Sequence, residues 1–81
     1  MKRVMRFTAS WCGPCKSLAK TLDEINTNHH IEVIDIDVYP DVAIEYGVRS
    51  VPTLIMFDEH AQLKRLIGAK SKTELEEWLN S

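Results

Sequence analysis

The 81-residue sequence predicts a single α/β domain of order β-α-β-α-β-β-α, with four strands in one mixed sheet and three helices divided between its faces. Three features predict it. Ile31–Val38 places Ile31, Val33, Ile34, Ile36 and Val38 among Glu32, Asp35 and Asp37, close to the two-residue period of a strand, and Thr53–Phe57 is an apolar run of buried-strand length behind Pro52. Between Pro14 and Asn28 the period changes, with Leu18, Leu22 and Ile25 recurring at helical spacing. Near the end, Ser71-Lys72-Thr73-Glu74 is a capping box that opens a last helix.

In chain order, Lys2–Thr8 reads as the first strand, with Val4, Met5 and Phe7 apolar. The helix from Pro14 to Asn28 carries Lys16, Lys20, Asp23 and Glu24 on its other faces, and the polar cluster Asn26–His30 ends it. After the strand Ile31–Val38, Pro40 and Asp41 open a short helix through Val42, Ala43, Ile44 and Tyr46, closed by Gly47. Asp58–Gln62 is a polar turn from Thr53–Phe57 into a strand over Leu63–Ile67, which Gly68 breaks. Leu75, Trp78 and Leu79 form the apolar face of the last helix. A helix between the first two strands makes them parallel through a right-handed crossover, whereas the short turn makes the last two an antiparallel hairpin.

With 44% hydrophobic and 27% charged residues, the composition is that of a folded chain rather than a disordered one. A net charge of −2 and a pI near 5.9 leave no basic footprint for nucleic acid. Met1-Lys2-Arg3 is followed by only Val4 and Met5 before Arg6, so no signal-peptide core is read, and no run reaches membrane-spanning length. With one pair of cysteines, these features predict a cytoplasmic protein, with no membrane partner and a monomer as the default.

The two cysteines lie in Trp11-Cys12-Gly13-Pro14-Cys15, at the end of the first strand and the start of the first helix. Two thiols at this spacing let one attack a disulfide and the other resolve the mixed disulfide that forms. Unpaired N–H groups and the positive end of the helix dipole stabilise a thiolate at Cys12, lowering its pKa below the free value of about 8.5. Lys16 adds positive charge, and Cys15, deeper in the helix, is the resolving thiol. Pro14 suits the first helical turn, and Gly13 lets a partner's backbone approach. A structural disulfide over so small a ring would add only roughly 2 kcal/mol. A zinc site with His29 and His30 would need ligands roughly 21 Å apart along a helix. No metal or bound organic cofactor is expected.

The pentapeptide Trp11–Cys15 resembles the active-site motif of the thioredoxin family without a change. Tyr46–Thr53, with Val51-Pro52, resembles the segment around that family's cis-proline, and Ile67-Gly68-Ala69 its third substrate-facing loop. The resemblance implies the thioredoxin fold in its minimal form, similar to compact, glutaredoxin-sized members. It further implies a cis Val51–Pro52 bond, with Val51 offering its backbone to an extended peptide and Trp11, Gly13, Pro14, Val51, Pro52, Ile67 and Gly68 forming a substrate platform. Arg6 stands where members of the family usually have a buried aspartate, and Val33 where a lysine commonly pairs with it. An unpaired buried arginine is costly, so Arg6 is expected to reach outward or to pair with Asp35 or Asp37, and to tune the dithiol through its positive charge.

The resemblance therefore implies a thiol–disulfide oxidoreductase that reduces protein disulfides through Cys12 and Cys15 and is itself recharged by a thioredoxin reductase. Two alternatives keep the same fold. One runs the exchange in reverse as a disulfide oxidant or isomerase, which Arg6 would favour by stabilising the thiolate form. The other is a binding subunit of a larger complex without essential redox turnover.

Overall fold

The computed structural model describes residues 2–81 and contains β1 (Arg3–Thr8), α1 (Gly13–Asp23), β2 (His30–Asp35), α2 (Pro40–Glu45), β3 (Thr53–Phe57), β4 (Gln62–Ile67) and α3 (Lys72–Asn80). The strands form one sheet of order β2-β1-β3-β4. β1 runs parallel to β2 and antiparallel to β3, and β3 runs antiparallel to β4. The element order and the strand directions are those the sequence predicts.

Alternation along the central strands sends successive side chains to opposite faces and so builds two cores. On one face Val4, Leu54 and Met56 meet Leu18 and Leu22 of α1, Ile25, and Leu75 and Leu79 of α3. On the other, Met5, Phe7, Ile55 and Phe57 are covered by Ala43 of α2 and its surroundings, where Tyr46 packs edge-on against Phe57 with ring centroids 5.4 Å apart. The helices are pinned at their ends by side chains. Ser71 Oγ accepts the Glu74 N–H at 3.2 Å while Glu74 Oε1 accepts the Ser71 N–H at 3.4 Å, completing the capping box. Arg65 donates to the Tyr46 carbonyl at 2.6 Å at the end of α2. Lys64 donates to the Trp78 carbonyl and stands over the Trp78 ring, 5.0 Å from its centroid.

Two elements end earlier than the sequence predicts. α1 stops at Asp23, not Asn28, although Ile25 still packs in the core beyond the helix end, its N–H bonded to the Leu22 carbonyl at 3.1 Å. The following residues are drawn away by His29, whose Nδ1 accepts the Lys2 N–H at 3.2 Å and whose Nε2 lies 2.7 Å from the Leu79 carbonyl. With Nδ1 accepting, Nε2 is the ring nitrogen that donates to the Leu79 carbonyl. β2 stops at Asp35, not Val38. The Ile36 N–H still reaches the Thr8 carbonyl at 3.0 Å, but Asp35 then captures the next three N–H groups. Its Oδ1 takes that of Asp37 at 2.8 Å, and its carbonyl takes those of Val38 at 3.1 Å and Tyr39 at 2.8 Å. A short polar side chain thus offers the backbone a turn in place of the ladder. Among the described residues no helix is long and apolar enough to cross a membrane.

Candidate active site

The parallel β1–β2 pair and the α1 connection place the end of β1 beside the start of α1, at an edge where α/β folds locate their sites. The chain turns through Ala9–Trp11, and the Cys12 N–H donates to the Ala9 carbonyl at 3.2 Å. Cys12 is the N-cap of α1, with extended backbone, and its Sγ accepts the Cys15 N–H at 3.1 Å. The sulfur takes the part that serine or aspartate oxygen plays at other helix starts. Cys12 and Cys15 are joined as a disulfide, their Cα atoms 5.3 Å apart. Cys12 is 5% and Cys15 1% exposed, so the first cysteine is the more accessible, as the sequence predicts.

Three other segments converge on this pair. Cys12 Sγ lies 3.8 Å from the Val51 carbonyl oxygen, and the Val51–Pro52 peptide is cis. Thr53 Oγ1 donates to the Ser50 carbonyl at 2.8 Å, holding that loop, and the Gly68 N–H donates to the Pro52 carbonyl at 2.9 Å, bringing Ile67 and Gly68 to it. Gly68 has φ +91°, a conformation that favours glycine there. Ile36 packs against Ala9, Cys12 and Cys15 from the end of β2. Around the disulfide, Trp11 and Ile67 are exposed apolar groups at 67% and 56%, Gly13 and Pro14 are exposed, and Val51 is half-buried. A Cβ on Gly13 would meet nothing within 4 Å, so that position is open toward an incoming chain.

Sequence reasoning missed two members of this cluster. Trp11 Nε1–H donates to Asp37 Oδ2 at 2.9 Å, and Asp37 is held in turn by its N–H bond to Asp35 Oδ1. The alternation of the strand assigns Asp37 only to its polar side and Ile36 only to its apolar side. The aspartate pair is visible in the sequence, but the indole that uses it lies 26 residues away.

Those bonds bear on the expected pairing of Arg6 with Asp35 or Asp37. Asp35 and Asp37 are engaged in the turn and the indole bond, and the carboxylate whose charge acts on the guanidinium is Asp23. Arg6 is half-buried and stands opposite Val33 in the β1–β2 register. Burial lowers its pKa, and the charge of Asp23 opposes that shift. Asp23 ends α1, about 12 Å along the helix axis from Cys15. Lys16 is exposed in the first turn of α1.

Residues 1–81 match the thioredoxin family model. The chain belongs to the thioredoxin family. It is 42% identical over 73 residues to the thioredoxin of Mycobacterium tuberculosis, covering 85% of this chain and 63% of that protein. It is also 40% identical over 78 residues to the thioredoxin of Rickettsia felis, covering 91% and 74%. A bifunctional thioredoxin reductase/thioredoxin of Mycobacterium leprae is 41% identical over 73 residues, covering 85% of this chain and 16% of that protein. Among solved structures, a single-substitution mutant of a thioredoxin from Halobacterium salinarum superposes with a TM-score of 0.90 at 31% identity, covering 98% of this chain and 72% of that one. Oxidized mitochondrial thioredoxin 3 of Saccharomyces cerevisiae gives a TM-score of 0.88 at 32% identity, covering 98% and 76%. The chain spans 63% of the length of the mycobacterial thioredoxins it matches, and the thioredoxin fold carries its β2-β1-β3-β4 sheet and three helices.

Proposed function

We propose that this chain is a thiol–disulfide oxidoreductase that reduces disulfides in other proteins. The observation that carries the reading is Cys12 as the N-cap of α1, its sulfur accepting the Cys15 N–H beside the Val51 carbonyl. In the reduced protein the same N–H and the helix end favour a thiolate at Cys12. That thiolate attacks one sulfur of a substrate disulfide, forming a mixed disulfide and releasing the other substrate sulfur as a thiol after proton uptake. Cys15 gives up its proton and attacks Cys12 Sγ. The Cys12–Cys15 disulfide forms and the second substrate sulfur leaves, so two electrons pass from the protein dithiol to the substrate.

Trp11, Gly13, Pro14, Val51, Pro52, Ile67 and Gly68 form the platform that receives the substrate, which lies extended along the Val51 backbone. A thioredoxin reductase restores the dithiol, a partnership supported by the fusion of the two activities in the Mycobacterium leprae relative. The chain works as a single domain and a monomer in the cytoplasm, without metal or organic cofactor. Lys16 and Arg6 tune the couple as positive charges, and a strong effect of Arg6 would favour the oxidant or isomerase direction.

The test is the reduction potential of the Cys12–Cys15 couple, in equilibrium with defined thiol/disulfide buffers. About 30 mV corresponds to tenfold in the equilibrium constant, so the direction is well separated. A potential more reducing than the glutathione pool is expected, and one more oxidising overturns the reductase reading. Thiolate absorbance against pH in wild type and Arg6→Ala then isolates the arginine, whose removal is expected to raise the Cys12 pKa; identical titrations sink its tuning role.

A further inference from the structure

The turn after β2 presents more apolar surface than the platform needs. Val38 is 64% and Tyr39 54% exposed, although both side chains belong to types normally used for burial. The turn is also held firmly. Both residues donate their N–H groups to the Asp35 carbonyl, and Asp37, one residue before Val38, is tied to the Trp11 indole at 2.9 Å. Val38 Cα is therefore about 3.8 Å from the Cα of a residue bonded to the active-site tryptophan. Ile36, two residues earlier, packs on the disulfide itself. The exposed pair is continuous with the candidate active site.

Charge indicates what would cover it. The segment Ile31–Val48 contains five carboxylates, Glu32, Asp35, Asp37, Asp41 and Glu45, of which Glu32 is paired with Arg3 at 3.4 Å, and neither a lysine nor an arginine before Arg49, which follows it. Asp37, Asp41 and Glu45 are exposed around the turn and along α2. An apolar pair with an acidic border complements a segment that offers an apolar side chain beside a cation.

We propose that Val38 and Tyr39, tied to Trp11 through Asp37, form a docking shelf beside the dithiol. Its occupant is an apolar side chain next to a lysine or arginine in the disulfide-bearing segment of a protein substrate. The shelf rests on the oxidoreductase reading and adds to it a substrate class. The platform at Val51 accepts any extended backbone, whereas the shelf selects by side chain.

The experiment compares reduction, by the reduced full chain, of two peptide disulfides and of 2-hydroxyethyl disulfide, which is too small to reach the shelf. One peptide carries Leu-Lys beside its cysteine and the other Ser-Glu. The wild type is expected to favour the Leu-Lys peptide by about tenfold in kcat/KM, the equivalent of about 1.4 kcal/mol. That preference shrinks as ionic strength rises from about 0.01 M to about 1 M, where the Debye length falls from about 30 to about 3 Å. In Val38→Ser/Tyr39→Ser the ratio of kcat/KM for the Leu-Lys peptide to that for the small disulfide falls toward the ratio for the Ser-Glu peptide. In Asp41→Asn/Glu45→Gln the lysine component alone shrinks, with Asp37 left in place. Equal wild-type rates on the two peptides, or a ratio unmoved by the Val38/Tyr39 substitutions, overturn the shelf alone when 2-hydroxyethyl disulfide is still reduced. A wild type that reduces none of the three overturns the redox reading and the shelf with it.

Discussion

The two faces of the sheet are closed to different degrees. The face under α1 and α3 is sealed by two helices of 11 and nine residues, and Leu18, Leu75 and Leu79 are at most 2% exposed there. The opposite face has only α2, six residues long, with Ala43 as its one buried residue and Ile44 left 77% exposed. Ile34, Ile36, Val42, Tyr46, Val48 and Val51 pack there without being fully buried. The first face is the more completely covered by helices. The second, with the edge that it shares with the dithiol, leaves more apolar surface accessible.

Leu75→Ala gives the largest effect that this comparison anticipates. Leu75 is fully buried between α1 and the sheet, so truncation is expected to destabilise by about 2–5 kcal/mol in chemical denaturation. A loss under about 1 kcal/mol would show that the helical face is not the main support. Next is Ser71→Ala, which removes the acceptor for the Glu74 N–H and is expected to cost about 1 kcal/mol through fraying of α3. An unchanged midpoint would place the anchorage of α3 in Lys64 and the leucines instead.

The turn at Asp58 belongs to neither face and has a pH signature. Its carboxylate accepts the N–H groups of His60 and Ala61, each at 2.8 Å, and the His60 bond is the largest of the causes that lower its pKa. A depressed carboxylate pKa contributes stability that is present above the unfolded value of about 3.9 and is lost as pH falls through the lower folded value. Comparing denaturation midpoints at neutral pH and near pH 3, Asp58→Asn is expected to lose less on acidification than the wild type. An equal loss in the two proteins would assign the acid sensitivity to other carboxylates.

The smallest effect is expected at Ile44→Ser, within about 0.5 kcal/mol of the wild type because the side chain already stands in water. A substantial loss there would mean that α2 seals its face after all, and would erase the contrast between the faces.

Much of this organisation is legible in the residues themselves. Thr53–Phe57 is delimited by Pro52 and the polar turn, and the capping box at Ser71 identifies the start of α3. The dithiol at the head of α1 follows from Pro14 and from the helical period behind it. The ends of α1 and β2 are not legible, because the apolar pattern continues past both. At Asp35 a side-chain oxygen outcompetes the ladder, and at His29 bonds to Lys2 and Leu79 hold the chain away from a helical path.

What the sequence determined alone is what neighbours within about four residues decide: period, caps, turns and the spacing of the two thiols. The tertiary structure decided which distant groups meet. Trp11 finds Asp37 across 26 residues and His29 finds Leu79 across 50, while the charge of Asp23 acts on Arg6 from the far end of α1. The physical reason is that hydrogen bonds and charges act over a few ångströms of space, and only the packed sheet and helices determine which residues lie within that reach.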